Sequence, residues 1–406
     1  MKISPETVFI SDYTYELPST KIAEYPLQNR DDSRLLVYQK GNITDSVFNL
    51  LPNFIETGST IILNNTRVIE ARILFQKNTG ATIELFCLEP FEQSIEQAMQ
   101  QHEKSIWKCL IGGASKWKHG QLLTKPIGED HKQILTARYL EKREDYFVIE
   151  FTWNKASASF VEVLHETGAI PLPPYIKRKA EKMDWERYQT VFSEQEGSVA
   201  APTAALHFTE NTFHQLKQKN VAYDYVTLHV GAGTFKPVKS ETIAGHSMHA
   251  EPFSIKKQVL QKLIHSNRII ATGTTSLRTL ESLYWIGLKL KLSPSAELKL
   301  DQWEAYSIEE QLTNISAKES FEYLLQWMNE KAINELHCQT SLIIIPGYQF
   351  KVAHALITNF HQPQSTLLLL IAAFIGNNWK KVYNHALENN YRFLSYGDSS
   401  LLWRDN

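Results

Sequence analysis

Hydrophobic and polar positions follow two rhythms along this chain. Between Arg72 and Trp153 short β-type runs succeed one another, TIELFCLEP, IWKCLIGG, QILTARYL and YFVIEFTW, with turn signals such as NTG and KHG between them. Strands with no long helix between them predict a small all-β unit. From about Val221 onward strand-length apolar runs alternate with helical patterns: YDYVTL, KKQVLQKLIH, RIIATG, SLRTLESLYW, then SLIIIP and the apolar TLLLLIAAFI. That alternation predicts a mostly parallel sheet covered by helices. Met1 to about Glu70 reads as a loop, short strands and a helix, ending in a buried strand over Ser59 to Thr66. The expected architecture is an α/β main domain, a parallel-type sheet with helices, formed by residues 1–70 plus 154–406 and interrupted by a small inserted all-β domain at 71–153. The polar, helix-prone stretch Leu288 to Lys331 is expected at the edge of the main domain, and the glutamine-rich Phe91 to Glu103 reads as an exposed loop or short helix without recognisable chemistry.

Composition changes this picture little. The chain has 406 residues, 43% hydrophobic and 21% charged, which supplies apolar material for one large or two moderate cores. Its longest apolar run, Leu367 to Ile375, is too short for the ~30 Å of bilayer hydrocarbon, and the MKISPETVFISDY start lacks a signal-peptide core. The three cysteines, Cys87, Cys109 and Cys338, make neither a CxxC knuckle nor a disulfide framework, so a reducing cytoplasm is the expected location. With a net charge of −2 no global field draws nucleic acid, and any RNA contact must be local. The basic stretch YIKRKAEK, Tyr175 to Lys182, reads either as a phosphate-facing patch or as a solvated loop.

Five segments carry candidate chemistry. Gly197 to Thr209, GSVAAPTAALHFT, crowds small residues around a proline and includes His207; it reads as a binding loop entering a helix, or as a tight packed turn. Thr227 to Val238, TLHVGAGTFKPV, brings His229 to a Gly-Ala-Gly turn followed by Thr234 and Lys236. It is not a dinucleotide fingerprint, because Lys236 stands where the third glycine of GxGxxG belongs. His246, His249 and Glu251 follow closely in GHSMHAEPF. That cluster admits a zinc reading with Glu251 or His229 as third ligand, yet no further cysteine or acid nearby completes a shell. Acid–base or substrate-binding histidines fit better, since imidazole exchanges protons near its ordinary pKa of ~6.5.

In RIIATGTTSLRTLES a strand ends at Gly273 and a helix begins, exposing backbone N–H groups beside Thr274, Thr275 and Arg278. A carboxylate or phosphate suits such a strand end, the alternative being that Thr275 and Ser276 only cap the helix. LITNFHQPQST sets Asn359 and His361 before an apolar helix, as in a pocket wall, and YRFLSYGDSS offers Tyr396 and Asp398 on a turn.

Taken together, DYTYELP, RDDSRLLV, LNNTRVIEARI, GAIPLPPYIKR, RYQTVF, GSVAAPTAALHFT, TLHVGAGTFKPV, HSMHAE, ATGTTSLRTLES, PGYQFK, LITNFHQPQSTLLLL and YRFLSYGD resemble, in order and over nearly the whole chain, the S-adenosylmethionine:tRNA ribosyltransferase-isomerase family. The chain departs from the family's usual residues at Asn65, Ala205, His354, Gln362 and Ser400, which makes Asn65 and His354 poor candidates for acid–base work.

The resemblance implies an α/β domain interrupted by a β-barrel and an enzyme of queuosine biosynthesis. Such an enzyme transfers and isomerises the ribosyl moiety of S-adenosylmethionine onto the aminomethyl nitrogen of 7-aminomethyl-7-deazaguanine in the tRNA anticodon loop. Epoxyqueuosine-tRNA, adenine and methionine result. S-adenosylmethionine is then a consumed substrate, no redox cofactor or metal is required, and a monomer acting at the wobble position is expected. On this reading acid–base work falls to His207, His229, His246, His249 and His361; Thr274, Thr275 and Arg278 take the methionine carboxylate. Thr234, Lys236 and Asn359 contact substrate, Glu251 and Asp398 hold sugar hydroxyls or the aminomethyl ammonium, and Phe235 or Tyr396 faces the sulfonium. Arg34, Arg67, Arg72, Lys177 and Arg178 form the expected RNA-contacting set. An S-adenosylmethionine-dependent RNA methyltransferase and a catalytically silent tRNA-binding protein are the rival readings; the first would bring a glycine-rich loop after its first strand that is not found here.

Overall fold

Strands that are apolar on both faces must be covered on both sides, and the chain sets them at the centre of a ten-stranded sheet. The computed structural model describes residues 5–128, 131–231, 238, 240–312 and 314–405. The large sheet consists of β1 (Arg34–Gln39), β2 (Asn42–Val47), β3 (Ser59–Asn64), β4 (Ala222–Leu228), β5 (Glu251–Lys256), β6 (Arg268–Thr272), β7 (Lys299–Leu300), β8 (Glu335–Thr340), β9 (Ala355–Asn359) and β10 (Ser399–Trp403). Their order across the sheet is β7-β8-β5-β4-β3-β6-β9-β10-β1-β2. Four neighbours, β4, β3, β6 and β9, are mutually parallel, and β3 and β9 are buried at every position.

Outside those four the sheet is mixed, which corrects the expectation of a mostly parallel one. β5 runs antiparallel to β4, β8 to β5, β10 to β9 and β2 to β1. The β1–β2 pair shows why: Lys40 and Gly41, at φ 49° and 79°, form the kind of two-residue turn that joins only antiparallel strands. The carboxyl ends of β3, β4, β6, β8 and β9 and the amino ends of β5, β10 and β1 all fall along the same edge of the sheet.

The helix Gly273–Leu292 covers β3, β6 and β9 and is buried almost all round. Its Gly287 lets the helix Ala317–Glu330 approach closely, since a Cβ there would lie 2.2 Å from Ser320 Oγ. Fully buried Glu281 accepts hydrogen bonds from Tyr348 Oη and from the backbone N–H groups of Lys351, Val352 and Ala353 at 2.9 to 3.2 Å. Burial nonetheless raises its pKa. The helices of Leu288 to Lys331 lie against this central helix.

Residues 72–153 form a second, antiparallel sheet of seven strands, the seventh being Gly168–Ala169. It curls, for Lys125 Nζ on its last strand donates to Leu74 O near its other end at 3.1 Å. Trp107, Phe151 and Phe160 lie in its own apolar core. Cys87 and Cys109, remote in sequence, face each other across two strands with sulfurs 4.0 Å apart and remain free thiols. Phe91 to Glu103 contains a short helix, Ile95–Met99, capped reciprocally by Ser94 and Gln97. The helix expected before Ser59 is the 3-10 segment Phe48–Phe54, where Pro52 lacks the N–H an α-helix needs. Among the described residues no helix is long and apolar enough to cross a membrane.

His165, on the helix Phe160–Thr167 that packs on the curled sheet, pairs with Glu196 on the separate strand Gln195–Ser198 and with Glu70 just before the curled sheet begins. Its Nε2 lies 3.0 Å from Glu196 and its Nδ1 2.6 Å from Glu70, and bonds to these carboxylates raise its pKa to about 10. A raised histidine pKa stabilises the fold fully below the unfolded value of ~6.5, and that contribution disappears as pH rises through the folded value. Thermal unfolding of the protein and of His165→Gln across pH 6.5 to about 10 is therefore expected to converge toward the alkaline end, the native histidine's advantage being confined to the lower pH.

Candidate active site

The shared strand edge gathers most of the candidate residues. At its centre stands Asn64, the last residue of β3 and completely buried. Its Nδ2 donates to Leu228 O at 2.9 Å, and its Oδ1 accepts from Leu228 N at 3.0 Å and Thr66 N at 3.2 Å. Where β3 and β4 part, this one amide takes over the hydrogen bonds the ladder no longer supplies. The same Nδ2 lies 3.5 Å from Thr275 Oγ1, at the start of the helix that follows β6. Gly273, at φ +81°, makes that strand-to-helix turn. Asn65 is likewise structural, donating to Glu194 and accepting from Thr227 Oγ1 at 2.7 Å.

Two adjoining cavities open along the edge and share Leu367. The first is lined by Gly231, His246, His249, Glu251, Arg278 and the apolar Leu342 to Ile344. Here Arg278 NH1 pairs with Glu251, and its Nε donates to Leu342 O at 3.0 Å. Its NH2, buried, has no hydrogen-bond partner among the described residues. A desolvated guanidinium with an unused donor beside a carboxylate suits a zwitterion, with a carboxylate on Arg278 and an ammonium on Glu251.

The second cavity is bounded by Tyr175, the small residues Ala200 to Ala204, Gly273 to Thr275, and Asn359 to His361. The segment Gly197 to Thr209 thus contributes a wall of small side chains before its helix, Glu210–Gln218, begins. Asn359 Oδ1 is buried and unpartnered among the described residues, while its Nδ2 lies 3.3 Å from His207 Nε2. Thr274 and Thr275 line this cavity rather than the one holding Arg278, so the three do not form one anion site as expected. The helix turn at Gly273 carries the threonines to one side, and Arg278, farther along the helix, to the other.

The five histidines have separate environments. His207 lies behind the cavity wall with Nδ1 2.8 Å from Ser33 Oγ, and burial lowers its pKa to about 3. With both ring nitrogens engaged it holds Asn359 in place. His361 borders the second cavity, 2.9 Å from Thr358 Oγ1, and burial lowers its pKa to about 4. His246 and His249 face the first cavity; burial and then the neighbouring His249 lower the pKa of His246. Among the described residues no three His, Cys, Asp or Glu side chains converge on a metal-sized site.

His229 turns away from both cavities into a third opening of about 770 Å³. Its Nδ1 lies 2.9 Å from Thr66 Oγ1, and burial lowers its pKa to about 4. Its Nε2 is 3.9 Å from Glu96, in the very stretch that reads as lacking chemistry. The Ser94-x-x-Gln97 capping signature would have placed a helix there, but nothing local connects Glu96 with His229.

Several other candidates serve the fold. Asp398 accepts from the backbone of Arg34 and Arg392 and pairs with the Arg392 side chain. Tyr396 donates to Asp184 at 2.7 Å and does not face the two cavities. Arg178 grips the same Asp184 with both terminal nitrogens, at 2.7 and 2.8 Å, and stacks on Tyr25. Arg34 pairs with Asp45 over the Tyr391 ring, Arg67 with Glu196 at 3.6 Å and Arg72 with Glu84 at 2.5 Å, whereas Lys177 is exposed. Thr234, Phe235 and Lys236 lie outside the described residues.

Comparison with known proteins adds an independent line. A family model described as queuosine biosynthesis protein matches residues 10–402. A Magnetococcus marinus protein named S-adenosylmethionine:tRNA ribosyltransferase-isomerase is 35% identical, over 97% of this chain and 94% of its own. Proteins of the same name from Thermotoga maritima and Legionella pneumophila are 37% and 36% identical, covering 97% and 96% of this chain and 99% and 98% of theirs. A solved structure of S-adenosylmethionine tRNA ribosyltransferase from Thermotoga maritima aligns at 28% identity over 97% of this chain and 100% of that one, with a TM-score of 0.46.

Asn64 gives the site its sharpest test of construction. Asn64→Ala strips partners from Leu228 N, Leu228 O and Thr66 N in a buried place, where each orphaned group costs about 1–3 kcal/mol. Urea unfolding is expected to show a loss of about 3 kcal/mol or more.

Proposed function

Since this chain belongs to the queuosine biosynthesis protein family, we propose that its sheet-edge cleft converts S-adenosylmethionine and a tRNA bearing 7-aminomethyl-7-deazaguanine at the wobble position into epoxyqueuosine-tRNA, adenine and methionine. The chain is a tRNA ribosyltransferase-isomerase that uses S-adenosylmethionine. The observation that carries the assignment of the cleft is the pairing of two unlike cavities: one with Arg278 and Glu251, the other with Asn359 and small-residue walls. S-adenosylmethionine has two such ends. Its methionine carboxylate meets the spare Arg278 nitrogen and its ammonium meets Glu251. Its adenosine enters the second cavity, where Asn359 Oδ1 accepts from the base.

Reaction begins at C5′, whose protons the adjacent sulfonium acidifies. His246, His249 and His361 face the cleft and supply the base; His361 and His246 are neutral acceptors at pH 7 because burial disfavours their charged forms. The proton passes to imidazole nitrogen, adenine departs, the amine adds to the opened sugar, and epoxide closure expels methionine. S-adenosylmethionine is consumed as a substrate, with no redox cofactor in the scheme.

Exposed Lys177, two residues from Tyr175 at the mouth of the adenosine cavity, is placed to meet anticodon-loop phosphate. Arg34, Arg67 and Arg72 are partly exposed and complete the proposed RNA-facing set. On this reading residues 1–70 plus 154–406 form the catalytic part and 71–153 an inserted barrel-like unit. One chain furnishes both cavities, which supports action as a monomer.

Protein mixed with S-adenosylmethionine and an amine-bearing anticodon stem-loop is expected to release adenine and methionine in equal amounts while the RNA gains mass. S-adenosylhomocysteine would instead identify a methyltransferase. Arg278→Lys keeps a charge for Glu251 but loses the planar fork, so KM for S-adenosylmethionine should rise about tenfold or more with a smaller change in kcat.

A further inference from the structure

Ser395 borders two openings at once. One is the second cleft cavity; the other is a dent of about 20 Å³ lined by Arg30, Arg187, Arg392, His207 and Tyr396 as well. His207 in turn lies 3.3 Å from Asn359 of the cavity. Dent and cavity are therefore neighbours across a single layer of side chains.

Three half-buried guanidiniums meet at the dent, and among the described residues no Asp or Glu lines it. Arg392 is balanced by Asp398 at 3.2 Å. Arg30 and Arg187 form no ion pair among the described residues and donate to backbone carbonyls instead. Arg30 reaches Glu186 O at 2.8 Å and Leu206 O at 3.2 Å, and Arg187 reaches Leu27 O at 2.8 Å and Gln28 O at 3.0 Å. Those carbonyls fix the planes of both groups without neutralising them. Arg187 Nε, shut off from water, has no acceptor among the described residues. Burial and then the charge of Arg187 lower the pKa of Arg30, with exposed Glu186 opposing. A guanidinium nevertheless stays charged at neutral pH, so the fold holds like charges side by side. An anion relieves that repulsion.

The surroundings indicate which anion. One water-sized atom needs about 10–15 Å³, so the dent admits an oxygen of a larger group and not a nucleoside. Tyr25, directly before the lining residues Pro26 and Leu27, is 46% exposed. Its hydroxyl donates to Glu181 at 2.9 Å and Arg178 lies over its ring at 4.1 Å, which holds the ring in place. A fixed, exposed aromatic ring beside arginines suits an unpaired nucleotide, whereas a free inorganic anion has no use for it.

We propose that Arg30, Arg187 and Arg392 bind a backbone phosphate of the anticodon loop next to the nucleotide being modified, a non-bridging oxygen entering the dent. The inference rests on the tRNA-directed activity proposed above and adds an anion site to it. A base and its own phosphate are one sugar apart, so a phosphate anchored at the dent leaves its base beside the cleft that Ser395 also borders. Arg34, Arg67, Arg72 and Lys177 do not line the dent. They attract the RNA, while the arginine trio fixes its register.

The test binds anticodon stem-loops, each with one loop phosphate replaced by a neutral methylphosphonate, to the full-length protein in fluorescence anisotropy. One linkage flanking the target nucleotide is expected to be sensitive, its neutralisation raising Kd about tenfold, as loss of a charge-assisted hydrogen bond does. In Arg187→Gln and in Arg392→Gln the unaltered RNA should bind about tenfold more weakly, and the methylphosphonate at that linkage should cost nothing further. The slope of log Kd against log salt should also fall by about 0.7 in each, the share of one released counterion. Lys177→Gln should keep the full sensitivity at that linkage. Absence of a sensitive linkage in the native protein, or undiminished sensitivity in either arginine variant that retains the native thermal transition, overturns the proposal. Sensitivity lost in Lys177→Gln gives the phosphate to that lysine and overturns it as well. Linkage-selective binding by a native protein that releases neither adenine nor methionine would overturn the proposed reaction while leaving the phosphate site standing.

Discussion

The Asn64 side chain is the joint on which the cleft depends. A parallel ladder stops where its strands diverge, and the backbone groups just beyond must find other partners or remain unpaired in a dry interior. One amide satisfies Leu228 on both its N–H and its C=O, as well as Thr66 N–H, and reaches Thr275. Thr66 in turn holds His229. The positions of β4, of the loop after β3 and of the helix after β6 are therefore coupled through a single residue. No charge is involved, so this joint is indifferent to pH over the range in which the histidines and carboxylates around it titrate.

Around that joint the site divides its electrostatic work. Charge is concentrated on Glu251 and Arg278, each nearly excluded from water and each answering the other. A buried pair of this kind contributes little net stability, but it offers a preset place for a zwitterion whose two charges it can match. The imidazoles nearby are kept neutral by burial, which leaves them able to accept protons but poorly able to carry them. A cationic sulfonium substrate and neutral bases avoid repelling each other. The opposite arrangement appears at His165, where two carboxylates from separate segments stabilise a charged ring.

Much of this was legible in the chain. The strand-to-helix junction at Gly273, the apolar helix after His361 and the β-rich run from Arg72 to Trp153 announce themselves by period and turn residues. The strand directions outside the parallel four were not legible, because a buried apolar run looks the same whichever way it points. Arg178 and Asp398 pair with Asp184 and Arg392, each only six positions away, a spacing that the i,i+3 and i,i+4 rule for helices does not predict. Glu96 and His229 are the reverse case, two residues far apart in sequence that come within 3.9 Å where Gly197, lacking a side chain, lies against Ile95 and the imidazole. Local pattern specifies elements, whereas partners between distant segments come from topology.

The most direct test of the cleft is a crystal structure of the protein with S-adenosylmethionine bound. The methionine carboxylate is expected on the free nitrogen of Arg278, its ammonium on Glu251, and the adenine in the cavity beside Asn359 and Gly273. Adenine seated against Arg278, or S-adenosylmethionine lodged in the opening beside His229 and Glu96, would contradict that placement.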